Sequence, residues 1–208
     1  MSKFEQLGPY QLEQRPGVFP LGSDTLALGR FATVRKGWRV CDLGTGSGVL
    51  LLLLAARESR LELFGLDQDP AAAALAQDNL RHNDLEGQIW TGSWSQTPFP
   101  PGSFDLVVSN PPYYAPGSGK DGGPARMERE ELDALCRAAA RLLRNGGRFA
   151  LSFPTQRMVD LLEAMRRWDL EPKQLKLLSH TPIKPPYALL AEGVRQGKPG
   201  LQVLPCLE

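Results

Sequence analysis

A glycine-rich turn between an apolar strand and an apolar helix restricts the fold of this chain more than any other stretch. The turn reads Asp42-Leu43-Gly44-Thr45-Gly46-Ser47-Gly48, between a predicted strand over 39–43 and a predicted helix over 47–57. Glycine lets the backbone turn tightly and approach a ligand closely. Strand and helix patterns keep alternating after this turn, at the spacing of parallel βαβ units. The sequence therefore predicts an α/β protein built on a mostly parallel sheet.

The remaining elements follow from hydrophobic periodicity and from helix start and stop signals. Further strands are predicted over 61–66, 88–91, 104–109 and 149–153, with a closing pair over 175–179 and 187–192. Further helices are predicted over 70–83, 128–144 and 158–168, and Asn145-Gly146-Gly147 is interpreted as a C-cap. Residues 1–36 are predicted to form an N-terminal extension in which Ser23 N-caps a short helix, and residues 37–208 the main domain.

Composition indicates one soluble, cytoplasmic domain of ordinary size. The chain has 208 residues, and 24 Lys and Arg balance 23 Asp and Glu, which neither requires nor excludes a nucleic-acid partner. The three cysteines are odd in number and lack metal spacing, which favours a reducing compartment and predicts no metal site. The longest strongly apolar run, 49–56, is far shorter than the roughly 20 residues of a membrane helix. No membrane association and no obligate protein partner are expected.

An acidic residue at the end of the second predicted strand strengthens the interpretation of the glycine turn. Asp67 lies 19 residues after Gly48, where a carboxylate can accept hydrogen bonds from both hydroxyls of a ribose. The alternative is that Asp67 caps the helix that begins near Pro70. Together the two features predict a nucleoside cofactor, either NAD or S-adenosylmethionine.

The most specific motif follows the predicted strand over 104–109. The chain reads Val107-Val108-Ser109-Asn110-Pro111-Pro112-Tyr113-Tyr114, so a β-branched run stops at an asparagine followed by two prolines. The prolines donate no backbone hydrogen bond and stiffen the loop. Ligands bind at the carboxyl ends of strands in open α/β sheets. A ligand-gripping strand end is therefore predicted, the alternative being a turn braced by proline.

The G-x-G-x-G turn and the Asn-Pro-Pro-Tyr strand end together resemble the class I S-adenosylmethionine-dependent methyltransferases. The resemblance covers about 39–192 and implies a Rossmann-like fold, with a seven-stranded, mostly parallel sheet, an antiparallel closing strand and helices on both faces. It implies that the glycines line the methionine part of the cofactor, that Asp42 lies near its amino group and that Asp67 binds the ribose. Trp94 could stack on the adenine or simply be buried. The implied cofactor contacts are Asp42, Gly44, Gly46, Gly48, Asp67, Ser93, Trp94 and Asn110.

The same resemblance gives the Asn-Pro-Pro-Tyr residues a catalytic role. An exocyclic amine on a purine is a poor nucleophile because its lone pair is delocalised into the ring. If the Asn110 side-chain oxygen and the Pro111 carbonyl accept its two N–H bonds, the lone pair can face the cofactor's methyl group. Tyr113 offers a face on which a flipped base can stack. The expected catalytic residues are Asn110, Pro111, Pro112 and Tyr113.

Three target classes share this tetrapeptide: adenine N6, guanine N2 and the side-chain nitrogen of protein glutamine. The segments 22–25, 125–128 and 197–205 resemble bacterial tRNA adenine-N6 methyltransferases that modify the anticodon loop. The chain departs from that pattern at Met127, where histidine is usual, and at Cys206, where a second proline is common. The resemblance implies an RNA substrate, most specifically tRNA. A non-catalytic RNA-binding scaffold remains the alternative of a different class.

Several residues are candidates for RNA contact on weaker grounds. The glycine-rich stretch 115–125 is either a lid or simply disordered. Any one of the basic side chains can equally belong to a solvated face. These candidates are Tyr114, Lys120, Arg126, Lys173 and Lys176.

Overall fold

The computed structural model describes residues 2–111, 124–181 and 183–205, with side chains from residue 130 onward in the second of these ranges. The described strands are β1 (Lys3–Leu7), β2 (Tyr10–Gln14), β3 (Arg39–Leu43), β4 (Glu62–Asp67), β5 (Gly87–Thr91), β6 (Phe104–Ser109), β7 (Leu143–Pro154), β8 (Leu170–Leu178), β9 (Ala188–Arg195) and β10 (Gln202–Leu204). The described helices are α1 (Ser23–Phe31), α2 (Val49–Ala55), α3 (Pro70–His82), α4 (Pro124–Leu142) and α5 (Met158–Arg167).

Strands β3 to β10 form one sheet in the order β10-β8-β9-β7-β6-β3-β4-β5. β9 runs antiparallel to both of its neighbours, and every other neighbouring pair is parallel. The expected mostly parallel sheet with an antiparallel closing strand is confirmed. The sequence predicted seven strands, and the short β10 adds an eighth at the edge, paired with β8.

The strand order reverses between β3 and β6. The chain winds outward from β3 through β4 to β5, then returns to place β6 on the other side of β3, where Cys41 pairs with Val107. Such a switch point leaves a crevice at the carboxyl ends of the strands, because the connections on its two sides leave in opposite directions. The glycine turn after β3 and Asn110 after β6 therefore lie side by side.

The sheet is buried on both faces, as a parallel sheet between helices must be. Alternate residues of β3 point to opposite sides, so Val40 packs with the apolar faces of α1 and α2, while Cys41 packs with α4. The leucine run of α2 is almost fully buried, which explains why it shows no polar face. Both central strands at the switch point are thereby fixed in position by the core.

The N-terminal segment adds a hairpin that the sequence did not predict. β1 and β2 pair in antiparallel fashion, and β2 is attached to α3 through two asparagine side chains. Asn83 accepts from Gln11 N at 2.8 Å and donates to Gln11 O at 2.7 Å. Asn79 makes the same pair of bonds with Glu13, at 2.8 and 3.0 Å. Because each amide side chain replaces a missing strand partner, the hairpin edge is satisfied by α3.

Three local predictions need correction. The N-cap of α1 is Gly22 rather than Ser23, and no side chain caps this helix. The segment Asn145-Gly146-Gly147 lies in the first part of β7 and does not cap α4, which ends at Leu142. Helix α2 runs over Val49–Ala55 and is shorter than predicted.

No helix within the described ranges has both the length and the apolar composition needed to cross a membrane.

Candidate functional site

A cavity of about 290 Å³ lies at the carboxyl edge of the sheet, beside the switch point. Its walls come from the turns after β3, β4, β5 and β6, from the loop before α1 and from α4. The predicted site residues that line it are Asp42, Gly44, Gly46, Asp67, Ser93, Trp94, Asn110 and Pro111.

The glycine turn is held in shape by backbone bonds to the neighbouring strand. The N–H groups of Gly44 and Thr45 both donate to the Leu66 carbonyl, at 2.8 and 3.0 Å. Gly44, Gly46 and Gly48 have φ angles of 78°, 54° and 79°, in the region that favours glycine.

Gly48 does not line the cavity and instead allows two helices to pack closely. A Cβ at this position would lie 3.2 Å from the Cα of Ala76, so the missing side chain lets α2 and α3 approach each other. A Cβ at Gly46, in contrast, would meet nothing within 4 Å. Of the three predicted cofactor glycines, Gly44 and Gly46 face the cavity and Gly48 supports the turn from behind.

Asp42 is a buried carboxyl group at the floor of the cavity. Its Oδ2 accepts from the Thr45 hydroxyl at 2.9 Å, while its Oδ1 has no hydrogen-bond partner within the described part of the chain. Burial raises the pKa of Asp42 to about 7; the Thr45 bond opposes this rise and the nearby charge of Asp67 adds to it. A buried oxygen without a partner is costly. The site therefore suits a ligand that brings a cation or an N–H donor to Oδ1.

Asp67 lies at the end of β4, with its carboxylate between the glycine turn and the start of α3. Its Oδ2 accepts from Gly46 N at 2.8 Å and its Oδ1 from Asp69 N at 2.9 Å. Asp69, not Asp67, is the N-cap of α3, because its side chain accepts from Ala71 N at 2.9 Å. The alternative capping role considered for Asp67 is therefore wrong. Each Asp67 oxygen keeps a second acceptor site with which it can meet a ligand hydroxyl.

Ser93 and Trp94 follow β5 and form the adjoining wall. The Ser93 hydroxyl accepts from Ser95 N at 3.3 Å and starts a turn of 3-10 helix over Trp94–Gln96. The Trp94 ring lies next to Gly44: a Cβ added to Gly44 would be 3.6 Å from the ring atom Cζ3. The indole is half-buried. It packs against the hydrophobic core and also lines the cavity.

Asn110 stands at the end of β6, directly after Ser109, whose hydroxyl donates to the Leu43 carbonyl at 2.7 Å. The side-chain nitrogen of Asn110 donates to the Thr25 hydroxyl at 2.7 Å and to the Asp24 carboxylate at 3.1 Å. Both partners belong to the first turn of α1, more than 80 residues away in sequence. Sequence reasoning predicted Asn110 and missed this pair, for which the only signal was the resemblance over 22–25.

The other predicted residues divide into two groups. Lys173 and Lys176 do not line the cavity; Lys173 Nζ donates to the Lys198 carbonyl at 3.0 Å, and Lys176 lies beside α1 and β10. The predictions that fall outside the described side chains concern Pro112, Tyr113, Tyr114, Lys120, Arg126 and the glycine-rich stretch 115–125.

The family model of the methyltransferase small domain matches residues 10–167 of this chain. A curated tRNA1(Val) (adenine(37)-N6)-methyltransferase of Parabacteroides distasonis is 30% identical over 179 residues, which cover 83% of this chain and 75% of that relative. The protein of the same name from Aeromonas salmonicida is 34% identical, over 77% of this chain and 70% of the relative. A third, from Tolumonas auensis, is 31% identical, over 71% and 64%.

Solved structures agree on the fold. A methyltransferase from Pyrococcus furiosus superposes with a TM-score of 0.69 over 89% of both chains, at 18% identity. A predicted O-methyltransferase from Agrobacterium tumefaciens gives a TM-score of 0.71 over 86% of this chain and 84% of that one, also at 18% identity. At such low identity the superpositions establish the Rossmann-like architecture alone. The family match covers most of the chain, and the chain therefore belongs to the methyltransferase small domain family.

Proposed function

We propose that this protein transfers a methyl group from S-adenosylmethionine to the exocyclic N6 of an adenine in the anticodon loop of a tRNA. The observation that carries the proposal is the position of Asn110 and Pro111. They stand at the wall of the same cavity that holds the glycine turn, Asp42 and Asp67. One cavity thus combines a subsite for a nucleoside cofactor with acceptors suited to an amine.

The residues present fit S-adenosylmethionine. Asp42 Oδ1, buried and without a partner among the described residues, suits the cofactor's cationic amino group. The Gly44–Gly46 segment leaves room for the methionine part, and Asp67 presents its carboxylate to the ribose hydroxyls. When bound, S-adenosylmethionine supplies an electrophilic methyl group.

Asn110 and Pro111 prepare the target nitrogen. The Asn110 side-chain oxygen and the Pro111 carbonyl each accept one hydrogen of the amine, which draws the lone pair out of the ring and toward the methyl group. With S-adenosylmethionine bound, its methyl group would pass from sulfur to this nitrogen while sulfur kept the bonding electron pair, and the methylated amine would then release a proton to solvent. No strong base is required, because the proton leaves a nitrogen that has become positively charged.

The names of the relatives favour adenine over the other amines that this site chemistry accepts. Three relatives of 30–34% identity are tRNA1(Val) (adenine(37)-N6)-methyltransferases, so adenine 37 of a valine tRNA is the proposed target. Phe19 lines the cavity mouth with 58% of its surface exposed and offers an aromatic face to a base. We place the reaction in the cytoplasm, with tRNA as the substrate and no obligate protein partner.

Analysis of the methylated product tests the proposal. The protein is incubated with isotope-labelled S-adenosylmethionine and an unmodified tRNA1(Val) transcript, and the digested nucleosides are identified by mass spectrometry. We expect N6-methyladenosine, and no product from a transcript that carries guanosine at position 37. Labelled N2-methylguanosine, or label found only in protein glutamine after incubation with a cell extract, would contradict the proposal and support one of the alternatives.

A further inference from the structure

The first turn of α1 is part of the active site through its contact with Asn110. Thr25 is 3% exposed and lines the cavity, although it lies 85 residues before Asn110 in the sequence. Its hydroxyl and the Asp24 carboxylate both accept from the Asn110 side-chain nitrogen, at 2.7 and 3.1 Å. The two N–H bonds of one amide thus match two acceptors that belong to the same helix turn.

This contact determines which end of the amide meets the target. The oxygen and nitrogen of a side-chain amide have nearly the same size, so rotation by about half a turn exchanges an acceptor for a donor. With the Asn110 nitrogen bonded to α1, the oxygen lies on the side of the amide that is turned away from Thr25. In the exchanged orientation, the –NH₂ group would face the amine of the target, and two donors cannot bond to each other.

The Asp24 carboxylate occupies space that a side chain at Gly22 would fill. Gly22 has an extended backbone with φ −105°, a conformation that any residue can adopt. The backbone conformation therefore does not require glycine here. A Cβ at Gly22 would lie 2.3 Å from Asp24 Oδ1. A side chain at position 22 would therefore push the Asp24 carboxylate out of its place beside Asn110.

The far end of α1 is fixed to the rest of the domain. Thr33 donates to the buried Glu192 on β9, from its N–H at 2.7 Å and from its hydroxyl at 2.9 Å. Arg57 donates to the carbonyls of Gly29 and Ala32, each at 2.6 Å. With one end anchored, α1 presents its first turn to the cavity in a single orientation.

We infer that Thr25 and Asp24 are positioning residues that hold the Asn110 amide with its oxygen toward the target amine. The inference rests on the proposed function, because it specifies how the amine-binding group of that same site is oriented. It assigns to α1 a role in the chemical step, in addition to packing.

Steady-state kinetics with matched variants provide the first test. Thr25→Val removes the acceptor and keeps the shape, and we expect kcat to fall about 10- to 100-fold because a small misplacement near the reacting atoms costs that much. The Kd for S-adenosylmethionine, measured by calorimetry, should stay within about threefold in that variant. Thr25→Ser restores the hydroxyl and should recover most of the rate. Gly22→Ala, which displaces the Asp24 carboxylate, should lower kcat in the same way.

Ser23→Ala is the control. It removes a hydroxyl from the same helix turn, but this hydroxyl lies 3.1 Å from the Tyr187 hydroxyl, whereas the Asn110 side-chain nitrogen donates to Thr25 and Asp24. Its kcat should stay near the wild-type value. A wild-type kcat in Thr25→Val, or no recovery in Thr25→Ser, would overturn the inference. A parallel loss of cofactor affinity would overturn it as well, by making Thr25 a cofactor ligand.

A second measurement does not depend on activity or on the identity of the substrate. The side-chain amide protons of Asn110, assigned in NMR spectra by their loss in Asn110→Ala, should exchange slowly in the wild type and in Thr25→Ser. They should exchange faster in Thr25→Val. Equal exchange in all three proteins would refute the positioning role even if the proposed product were correct. Slow exchange combined with a different methylated product would refute the proposed function alone.

Discussion

At the scale of single residues, the proposed function gives the Asp67 carboxylate a ligand to bind in addition to its partners within the protein. Its two oxygens accept from Gly46 and Asp69 and so connect the glycine turn to the start of α3. These bonds fix the direction of the carboxylate in the free protein. If Asp67 binds the ribose as proposed, little ordering of the side chain is needed on binding, which favours affinity.

We expect Asp67→Ala to weaken S-adenosylmethionine binding about 10- to 100-fold, because hydrogen bonds to a charged group are worth about 1.5–3 kcal/mol. Calorimetric titration measures the effect directly. Asp78→Ala is the control, since it removes an exposed carboxylate of α3 that pairs with Arg15 and Arg81. Unchanged affinity in Asp67→Ala would show that the ribose is held elsewhere.

Asp42 gives the protein a pH dependence with a defined sign. Its pKa is raised from 3.8 to about 7, chiefly by burial, so the folded state binds this proton more tightly than the unfolded state. The stability associated with that proton is fully present below about pH 4 and is lost as pH rises through 7. Ionised Asp42 is therefore a destabilising group in the free protein, and a cationic ligand relieves it.

We expect Asp42→Asn to be more stable than the wild type at pH 8 and to exceed it by less at pH 5, where the wild-type carboxyl is still protonated in the folded protein. The gain should be on the order of 1–4 kcal/mol, since one pKa unit corresponds to about 1.4 kcal/mol. Urea denaturation at the two pH values measures it. S-adenosylmethionine affinity should change in the opposite sense, lower in the variant at pH 8. A stability difference that is independent of pH would contradict the assignment.

At the scale of elements, the anchoring of α1 depends on a buried carboxylate. Glu192 is fully buried on β9, where it accepts from Thr33 and pairs with Arg148. Removing one partner of such a pair leaves the other charge without compensation. The C-terminal end of α1 and the adjacent strands β7 and β9 therefore depend on one another.

Glu192→Ala should cost about 3–5 kcal/mol in the free energy of unfolding, as loss of one buried partner typically does. Asp78→Ala is the control, because Asp78 on α3 pairs with the exposed Arg15 at 3.3 Å and such a surface pair contributes about 0–1 kcal/mol. Denaturant unfolding followed by circular dichroism compares the two. Similar costs for both variants would mean that Glu192 does not anchor the helix.

Local sequence patterns predicted most of the helices and strands, and they also identified many of the residues that line the cavity. The alternation of strands and helices was enough to place Asp67 beside the glycine turn, because parallel strands end at the same edge. The bonds from Asn110 to Thr25 and Asp24 were not predictable, since they depend on where α1 docks. The β1–β2 hairpin escaped prediction for a similar reason: its edge is completed by Asn79 and Asn83 of α3, which no local pattern reveals.

At the scale of the whole molecule, the switch point between β3 and β6 brings the ends of both strands to one cavity. In the proposed function, the turns after β3, β4 and β5 bind the cofactor, and the end of β6 together with α1 binds the target. Both sides project from neighbouring strands of one sheet, which keeps them close together. The proposal thereby separates the residues that bind the cofactor from those that activate the target, with Asn110 on the target side.

The most direct test of that separation is Asn110→Ala, examined for methyl transfer to the tRNA1(Val) transcript and for S-adenosylmethionine affinity in the same preparation. We predict that transfer under single-turnover conditions falls by at least about 100-fold. The calorimetric Kd for the cofactor should stay within about threefold of the wild-type value. Transfer at a near-normal rate would contradict the account, and so would an equal loss of transfer and cofactor affinity.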